Sequence, residues 1–561
     1  MVAIGSESDS HSSQDSMSGR NTRSLNHGNI RTGIRPNGGF RPSVSEDWQL
    51  HFSTYLGDYG EQYFVDVAID AEGNVYAAIN LLYSDFAFTY SFTTPQEDNQ
   101  YIVIAKFYPN GTAAYVNLIA EGLPIAISLD SNGDIYVAGS TTSSEFPVTP
   151  DAFQTEKPAM VDSCCFILHL SNNGTKILHA TYITGTDGHS EIDDIWLDQW
   201  NNVYATGSHG ATDFPVSGTA YQTTYSGQND AFALKMSPDL TTFLGGTYYG
   251  GPYPDVGHGI CLDQAGNVYI AGAQKPAGLY SGDDALIVKF TPTFTNVMWS
   301  DVIGDGGQNT DRFNGIAIDP EGYVVAVGMI STDGFAVNAA FSSSLVGASD
   351  FLIAEYTLVG TKTMLSYLGT ESYEWLEGVE ISGGYRYFVG YSSGSSFPLK
   401  DSYSAEMNGG QDIILLKTDA DFGLVYSCNV GGRSSDIGTS IAVGNDGLIA
   451  VGGTTLGHGF PLLNPYQSEV STGDLPYPDA CILLLTEPSL DTSTTGTTST
   501  DTLTTVTSST GNTLTGDTNA TSRGGEVGFI PLILENLPII VTLGSICIIL
   551  GVVVLTVKKR P

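Results

Sequence analysis

The feature that most constrains the fold is a short segment that returns along the chain at intervals of 56 to 68 residues. Its clearest copy is Asp263-Gln-Ala-Gly-Asn-Val-Tyr-Ile-Ala-Gly272. Related copies begin at Asp70, Asp130, Asp198 and Asp319, and looser ones begin at Ser382 and Gly444. A repeat of this period indicates an array built from one supersecondary unit.

Each copy has the pattern of a β-hairpin. An alternating apolar run leads into a turn that contains Gly or Asn, and a run rich in Val, Ile and Tyr leads out of it. A third apolar run and a fourth run of the type Thr247-Tyr-Tyr-Gly-Gly251 complete each unit. Seven such units predict an all-β protein, a seven-bladed β-propeller of four-stranded antiparallel blades.

The two ends of the repeat region complement each other. His51-Phe-Ser-Thr-Tyr-Leu56 has the fourth-strand pattern but precedes the first hairpin, whereas the seventh unit ends at its third strand near Thr486. We therefore expect residues 50–56 to complete the last blade beside residues 479–486. This pairing would close the ring and leave no open sheet edge.

Four motifs give the repeats a family resemblance. They are the Asp-x-x-Gly-Asn-Val-Tyr-x-Ala-Gly hairpin, a following Phe-Pro such as Phe214-Pro215, an Asp-Ala-Phe-x-x-Lys strand and a Thr-Tyr-x-Gly-Gly strand. With them the chain resembles the SBBP β-propeller repeat family, which is found in many prokaryotic surface and secreted proteins. Unit four departs from the pattern because it has no Phe-Pro, and unit five has Phe335-Ala336 in that place. The resemblance implies the propeller fold and brings no defined activity.

Composition divides the chain into five segments. We predict a disordered N-terminal segment, the propeller, a Thr/Ser-rich stalk, a transmembrane helix and a short basic cytoplasmic tail. Their boundaries are 1–46, 47–489, 490–530, 537–557 and 558–561.

The predicted membrane anchor sets the topology. Residues 538–557 contain no charge and would be about 30 Å long as a helix, enough to cross a bilayer. Lys558-Lys-Arg560 follows directly and should stay in the cytoplasm, which places the propeller outside the cell. The first 46 residues contain no apolar signal segment, so a tail-anchored propeller in the cytoplasm is the alternative.

Charge excludes some partners. The chain has 60 Asp plus Glu against 21 Lys plus Arg, a net charge of −39, so its surface repels nucleic acid and anionic lipid headgroups. Long connections between the second and third strands should gather on one propeller face together with the loops that enter each innermost strand. Such loops on a rigid ring favour a binding, adhesion or protein-interaction module with a protein or glycan ligand.

Acidic residues recur in the loops that enter the innermost strands. As candidates for an acidic rim around the funnel we name Asp58, Glu61, Asp187, Glu191, Asp255, Asp311, Glu374 and Asp436. Several occupy matching repeat positions, so turn capping is the favoured role of each residue, although together they would still make an acidic rim. The alternative functions are an extracellular enzyme that uses funnel carboxylates on polysaccharide or peptide, and a structural component of the cell envelope.

The sequence shows no catalytic set. Gly390-Tyr-Ser-Ser-Gly394 matches a nucleophile-elbow pattern, but that elbow needs a strand, a sharp turn and a helix, whereas here the repeat predicts a strand followed by a loop. We therefore predict no catalytic residue and favour binding over catalysis. His258 and His458 each lie between glycines and receive no ligand role.

One turn has the spacing of a metal loop. Asp130, Asn132 and Asp134 have the 1, 3, 5 spacing of oxygen ligands, but Thr141 stands where a calcium loop needs a bidentate Glu. A role in the hairpin turn is therefore the favoured prediction, calcium binding at this or another acidic loop is the alternative, and no other cofactor is expected.

Three sequons are possible glycosylation acceptors, provided that the cell N-glycosylates. They are at Asn110, Asn173 and Asn519.

Overall fold

The structure is a computed structural model. The described residues are 48–487 apart from 58–61, 83–85, 97–98, 277–281, 405, 408, 445, 457–458 and 471–477. Among them no helix is long and apolar enough to span a membrane. The predicted N-terminal segment, stalk, transmembrane helix and cytoplasmic tail lie outside the described residues.

The described strands form seven sheets, which we call blades 1 to 7, and all of their main strands pair antiparallel. The first described strand is β1 (Gln49–Leu56). Blade 1 contains β2 (Gln62–Ile69), β3 (Val75–Leu82), β4 (Tyr90–Ser91), β5 (Gln100–Phe107) and β6 (Ala113–Glu121). Blade 2 contains β7 (Leu123–Leu129), β8 (Ile135–Thr141), β9 (Cys164–Leu170) and β10 (Ile177–Ile183). Blade 3 contains β11 (Ser190–Leu197), β12 (Val203–His209), β13 (Asp230–Met236) and β14 (Phe243–Tyr249).

The remaining blades follow the same order. Blade 4 contains β15 (Asp255–Leu262), β16 (Val268–Gln274), β17 (Asp284–Phe290) and β18 (Val297–Ile303). Blade 5 contains β19 (Arg312–Ile318), β20 (Tyr323–Ile330), β21 (Asp350–Thr357) and β22 (Lys362–Leu368). Blade 6 contains β23 (Glu374–Ser382), β24 (Tyr385–Ser392), β25 (Asp412–Thr418) and β26 (Leu424–Val430). Blade 7 contains β27 (Asp436–Val443), β28 (Leu448–Thr455) and β29 (Asp479–Thr486), and β1 completes it. The predicted seven-bladed propeller is confirmed.

The first strand closes the ring. β1 pairs antiparallel with β29, with Ser53 opposite Leu483 and Tyr55 opposite Cys481, as the sequence predicted. The free edge of β1 is covered in turn, because the Ser53 amide donates to the Leu463 carbonyl over 2.9 Å. Closure therefore satisfies backbone groups that an edge strand would leave unpaired.

The long connections between second and third strands lie along the outer strand of their own blade. Val337 bridges Leu365 on β22, and Lys400 bridges Ser427 on β26. In blade 1 the same connection forms the short fifth strand β4, which runs parallel to β6 and was not predicted. These segments cover outer edges, so they do not stand free on the face where the sequence analysis placed them.

The Phe of the Phe-Pro motif anchors such a connection. Phe214 is 3% exposed, and its ring lies 4.8 Å from that of Phe232 and 6.0 Å from that of Tyr248. These residues belong to a core cluster that also includes Ile167 of blade 2. The core therefore lies between neighbouring blades, because a single blade cannot bury both of its faces.

The hairpin turns explain the motif by which the repeat was found. The Asp263 carboxylate accepts hydrogen bonds from the amides of Ala265 and Asn267 over 3.0 and 2.9 Å. Lys289 on the third strand lies 3.1 Å from the same carboxylate and over the Tyr269 ring. Burial tends to raise the pKa of Asp263, but the hydrogen bonds from Asn267 and Lys289 outweigh it and leave that pKa below its usual value.

Candidate functional site

Every innermost strand contains a β-bulge at the same register. In each blade the bulged residue lies five positions before the first residue of the hairpin turn. The seven bulged residues are Val65, Ile125, Asp193, His258, Asn314, Glu377 and Thr439. A bulge adds an unpaired residue to the strand and redirects its side chain.

The glycine that ends the hairpin motif makes room for this bulge. A Cβ on Gly272 would lie 2.0 Å from the Val256 carbonyl oxygen of the neighbouring innermost strand. The same 2.0 Å approach occurs at Gly139, Gly207, Gly328 and Gly390. The repeated Ala-Gly therefore permits the backbone geometry that presents the bulged side chain.

Six of the bulged residues line a central cavity of about 450 Å³. Ile125 of blade 2 lines it, and so do five polar residues from the consecutive blades 3 to 7, which we call the polar arc. The polar arc consists of Asp193, His258, Asn314, Glu377 and Thr439. One structural position thus has an apolar residue in blade 2 and a different polar residue in each of five successive blades.

Neighbouring members of the polar arc are bonded to each other. His258 Nδ1 lies 2.9 Å from Asp193 Oδ2. Asn314 Nδ2 donates to Glu377 Oε2 over 3.1 Å and to the Leu376 carbonyl over 2.9 Å. These contacts join blade 3 to blade 4 and blade 5 to blade 6, so the side chains are oriented before any ligand arrives.

The residue after the bulge has a structural role in three blades. Asp66 Oδ2 accepts from the Ile127 amide, and Asp194 Oδ2 accepts from the Ile260 amide, each over 2.8 Å. Ser440 Oγ accepts from the Val67 amide over 3.1 Å. These bonds fasten one innermost strand to the next around the cavity.

Burial changes the protonation of the cavity carboxyl groups. It raises the pKa of Glu377 and of Glu380 to about 7, although Arg312 and His258 act in the opposite direction on Glu377. It also raises the pKa of Asp66 to about 6. Both glutamates can therefore take up or release a proton near neutral pH, and a cation entering the cavity would favour their charged forms.

Four of the predicted rim residues are buried. Asp255, Asp311, Glu374 and Asp436 are each 0 or 1% exposed, and each accepts hydrogen bonds from its own loop or from the neighbouring connection. They cap turns beneath the propeller face and therefore do not form an open acidic rim. A carboxylate can accept hydrogen bonds from the loop amides only if it lies under the loop. This requirement explains why these acidic residues recur at one position of the repeat.

The other predicted rim residues have varied positions. Asp187 is exposed and accepts from the Thr212 amide over 3.0 Å. Glu191 is partly exposed in β11, 3.9 Å from His189. Asp58 and Glu61 lie outside the described residues.

The buried acids also explain the Gly-Gly of the fourth strand. Asp230 at the start of β13 and Asp255 at the start of β15 converge on Gly250, where a Cβ would lie 2.6 Å from both carboxyl groups. Burial raises the pKa of Asp230 to about 6 and that of Asp255 to about 7. Similar pairs surround Gly369 and Gly431. Acidic pairs between blades are therefore part of the packing.

The predicted metal loop forms a capped hairpin turn. Asp130 Oδ1 accepts from the amides of Asn132 and Asp134 over 2.8 and 2.9 Å. Asn132 is exposed, and its side chain donates to Asp130 Oδ2 over 3.2 Å. His169, which the sequence analysis did not consider, lies beside the two aspartates.

The predicted sequons lie in the turns between outer strands. Asn110 and Asn173 are exposed in the turns that join β5 to β6 and β9 to β10. Asn519 lies outside the described residues.

Sequence reasoning missed the polar arc. A signal was present, because the five residues all lie five positions before the turn and differ from one copy to the next. The repeat was identified from hairpin residues that are the same in most copies, and not from positions whose residue differs between copies. A position whose residue varies while the surrounding repeat is preserved is the signal that could have found the polar arc.

Comparison with known proteins agrees with the fold. Residues 124–147 match the family model of the SBBP β-propeller repeat. This match covers the innermost hairpin of blade 2 and supports the resemblance seen in the motifs. No curated protein matches the chain.

Several solved structures align with the chain at low similarity. A protein of unknown function from Dyadobacter fermentans is 9% identical, with 79% of this chain and 100% of that chain covered and a TM-score of 0.37. BamB from Moraxella catarrhalis is 10% identical, with 78% and 99% covered and a TM-score of 0.37. The β-propeller domain of the Trilobed protease from Pyrococcus furiosus is 9% identical, with 73% and 99% covered and a TM-score of 0.38. The assignment of the fold rests on the seven sheets of this chain and not on these alignments.

Proposed function

We propose that this chain is a membrane-anchored binding protein of the cell surface, whose propeller recognises a protein or glycan ligand. The observation that supports this proposal is the polar arc. Five successive blades place different polar side chains in one cavity, although the surrounding fold repeats. A purely structural channel has no need for such an asymmetric set.

The chemistry of the cavity favours a ligand group that is cationic or rich in hydrogen-bond donors. Asp193 and Glu377 supply carboxylates, while Asn314 and Thr439 supply neutral hydrogen-bonding groups. A cavity of about 450 Å³ has room for a lysine or arginine side chain or for one sugar ring. The net charge of −39 would also attract a cationic partner. A basic side chain of a protein partner is the ligand group that fits best.

The binding test uses the full chain reconstituted in detergent-free lipid nanodiscs, applied to intact cells, a glycan panel and cell-envelope proteins. The double variant Asp193→Asn with Glu377→Gln keeps side-chain size but removes both negative charges, so binding should weaken at least tenfold. Glu72→Gln, on the exposed turn of blade 1, is the matched control and should bind like the parent chain. Equal binding by all three proteins, or no binding by the parent chain, would count against the proposal.

The location is tested separately. An epitope tag at the N-terminus and another after Arg560 are followed during protease treatment of intact cells. Loss of the N-terminal tag with protection of the C-terminal tag supports the proposed topology, which rests on the apolar segment 537–557 and the basic residues after it. Protection of both tags until the membrane is broken would instead place the propeller in the cytoplasm.

The polar arc also favours a second candidate, hydrolysis of polysaccharide or peptide. His258 paired with Asp193 is a possible general base, and Glu377, with its raised pKa, is a possible general acid. Turnover by the parent chain that His258→Gln and Glu377→Gln each abolish would establish this activity. Ligand binding without turnover would exclude it.

A further inference from the structure

The hairpin turn of blade 2 departs from the turns of blades 1, 3 and 4 in two positions. In those three blades a lysine from the third strand lies beside the first aspartate of the turn. The Nζ to carboxylate distances are 3.5 Å for Lys106 and Asp70, 3.3 Å for Lys235 and Asp198, and 3.1 Å for Lys289 and Asp263. Each lysine also lies over a tyrosine ring at 4.5 to 4.7 Å. The positive charge of the lysine balances the aspartate.

In blade 2 the lysine is replaced by His169. Its register is that of the lysines, because it pairs with Tyr136 as Lys235 pairs with Tyr204. The ring stacks on Tyr136 with centroids 4.0 Å apart. His169 is only 8% exposed, and neither of its ring nitrogens has a hydrogen-bond partner among the described residues. A buried imidazole without an acceptor is neutral near pH 7, so it does not replace the charge of a lysine.

The second difference is Asp134. At this position the other three turns have an asparagine whose amide donates to the first aspartate over 2.8 Å, namely Asn74, Asn202 and Asn267. Asp134 adds a carboxylate there. The turns of blades 1, 3 and 4 are therefore electrically balanced, whereas the turn of blade 2 combines two negative charges with a neutral imidazole.

The three side chains of blade 2 converge. Asp130, Asp134 and His169 each offer one ligand atom, and these atoms all lie within 4.8 Å of one another. In a tetrahedral zinc site with ligand atoms about 2.1 Å from the ion, two ligand atoms are about 3.4 Å apart. The three atoms would therefore have to approach one another by at most about 1.4 Å, which small side-chain rotations can supply.

We propose that Asp130, Asp134 and His169 bind a divalent transition-metal ion, of which Zn²⁺ fits best, at the place where other blades hold a lysine ammonium. The ion supplies the two positive charges that the turn lacks and gives the buried imidazole a partner. Imidazole is a ligand for zinc and its neighbours, whereas calcium prefers an all-oxygen shell. This ligand set replaces the calcium loop predicted from Asp130, Asn132 and Asp134.

The contacts between this turn and blade 3 indicate that the ion has a structural role. Asn201 in the turn of blade 3 donates to Asp130 Oδ2 over 3.0 Å, and the Tyr136 hydroxyl donates to the Pro238 carbonyl of blade 3 over 3.1 Å. An ion at this turn would fix the end of blade 2 against blade 3. His179, whose ring lies 5.6 Å from that of His169, is the nearest further imidazole.

The test measures zinc binding to the full chain after removal of metals with a chelator. Calorimetric titration of the parent chain should show one strong site, and zinc should raise its Tm. The double variant His169→Lys with Asp134→Asn rebuilds the turn of blades 1, 3 and 4, so it should fold. Its zinc affinity should fall more than about 100-fold, because the imidazole and one carboxylate are both lost, and its Tm should no longer respond to zinc.

Two further variants keep the outcome decisive. Asp284, Asp305 and Asp311 form a second acidic cluster in blades 4 and 5, so Asp305→Asn should leave the strong zinc site unchanged. Lys235→His with Asn202→Asp copies the blade 2 ligands into blade 3 and should add a second zinc equivalent. Equal zinc affinity in the parent chain and in the rebuilt variant would overturn the proposal. A Tm increase with calcium and none with zinc would overturn the assigned metal class.

Discussion

The hairpin turns and the bulges of the innermost strands are both repeated structures, but they treat their side chains differently. The turns of blades 1, 3 and 4 preserve one Asp, Tyr and Lys cluster, with nearly the same distances each time. The bulges preserve a backbone shape and change the side chain, from Ile125 in blade 2 to Asp193 and His258 in the next two blades.

This difference separates residues that build the fold from residues available to a ligand. Where a side chain neutralises a buried charge or caps a turn, the copies in blades 1, 3 and 4 use the same residues. Where a side chain faces the cavity, the fold places few demands on it. The blade 2 turn, with His169 and Asp134, is informative because it breaks a pattern that its neighbours keep.

The largest effect should come from breaking a preserved turn. Asp263→Ala leaves Lys289, which is 3% exposed, without its carboxylate and also removes the cap of the turn. We expect a loss of about 3–5 kcal/mol in the free energy of unfolding, because a buried charge that loses its ionic partner is costly, even though Lys289 Nζ keeps its hydrogen bond to the Leu358 carbonyl. Urea denaturation measures it, with Asp162→Asn on the exposed surface as a neutral control. A loss below about 1 kcal/mol would show that the turn cluster is dispensable.

The next effect concerns the glycine beside a bulge. Gly272→Ala places a methyl group 2.0 Å from the Val256 carbonyl, so the two strands must separate. We expect a loss of about 1–3 kcal/mol. Gly218→Ala is the matched control, since an added Cβ there has no heavy atom within 4 Å among the described residues. Similar stability of the two variants would mean that the bulge does not depend on glycine.

Stability should also depend on pH through the buried acids between blades. Burial raises the pKa of Asp255 and of Asp436 to about 7 from an ordinary value of 3.8. The folded state favours their protonated forms, so their contribution is complete below about pH 4 and is lost as the pH rises to about 7. We therefore expect a lower Tm at pH 7.5 than at pH 5.

A double variant isolates this contribution. Asp255→Asn with Asp436→Asn cannot titrate, so its Tm should change less between pH 5 and pH 7.5 than that of the parent chain. The turn aspartates do not contribute to this change in Tm. The pKa values of Asp198 and Asp263 are lowered, so their contribution to stability is lost only below pH 5. Parallel pH profiles for the two proteins would exclude the buried acids as the cause.

The smallest effect on stability should come from the polar arc. Thr439→Ile gives blade 7 the residue type that blade 2 has at Ile125. We expect the free energy of unfolding to change by less than about 1 kcal/mol, while ligand affinity falls because a hydroxyl leaves the cavity. Urea denaturation and the binding assay are run on the same preparation. A stability loss as large as that of Gly272→Ala would assign the bulge residues to the fold instead.

Much of the fold followed from local patterns. The repeat of Asp263 to Gly272, the turn glycines and the fourth-strand pattern of residues 51–56 predicted the seven blades and their closure. Local hydrogen bonds determine these features, so they leave a mark in consecutive residues. The wrapping of the long connections around the outer strands was not predicted, because Phe214 finds its partners in strands that are distant in the sequence.

The candidate site was much harder to predict. Asp255 and Asp436 were candidates for turn caps and for a rim, and they are buried caps. Their burial was not predicted, because the depth of a loop beneath its neighbours cannot be inferred from spacing. His258 received no role because its partner Asp193 is 65 positions earlier in the chain.

The sequence by itself determined the repeat, the strand order and the positions of turns, since these depend on interactions within one unit. Tertiary structure alone decided which side chains meet. Packing neighbouring units against each other brings residues about 60 positions apart into contact, so the polar arc exists only once the blades have packed. The cluster of Asp130, Asp134 and His169 likewise needs the third strand to pair beside the turn. Contacts between distant segments depend on packing and register, and no short pattern records them.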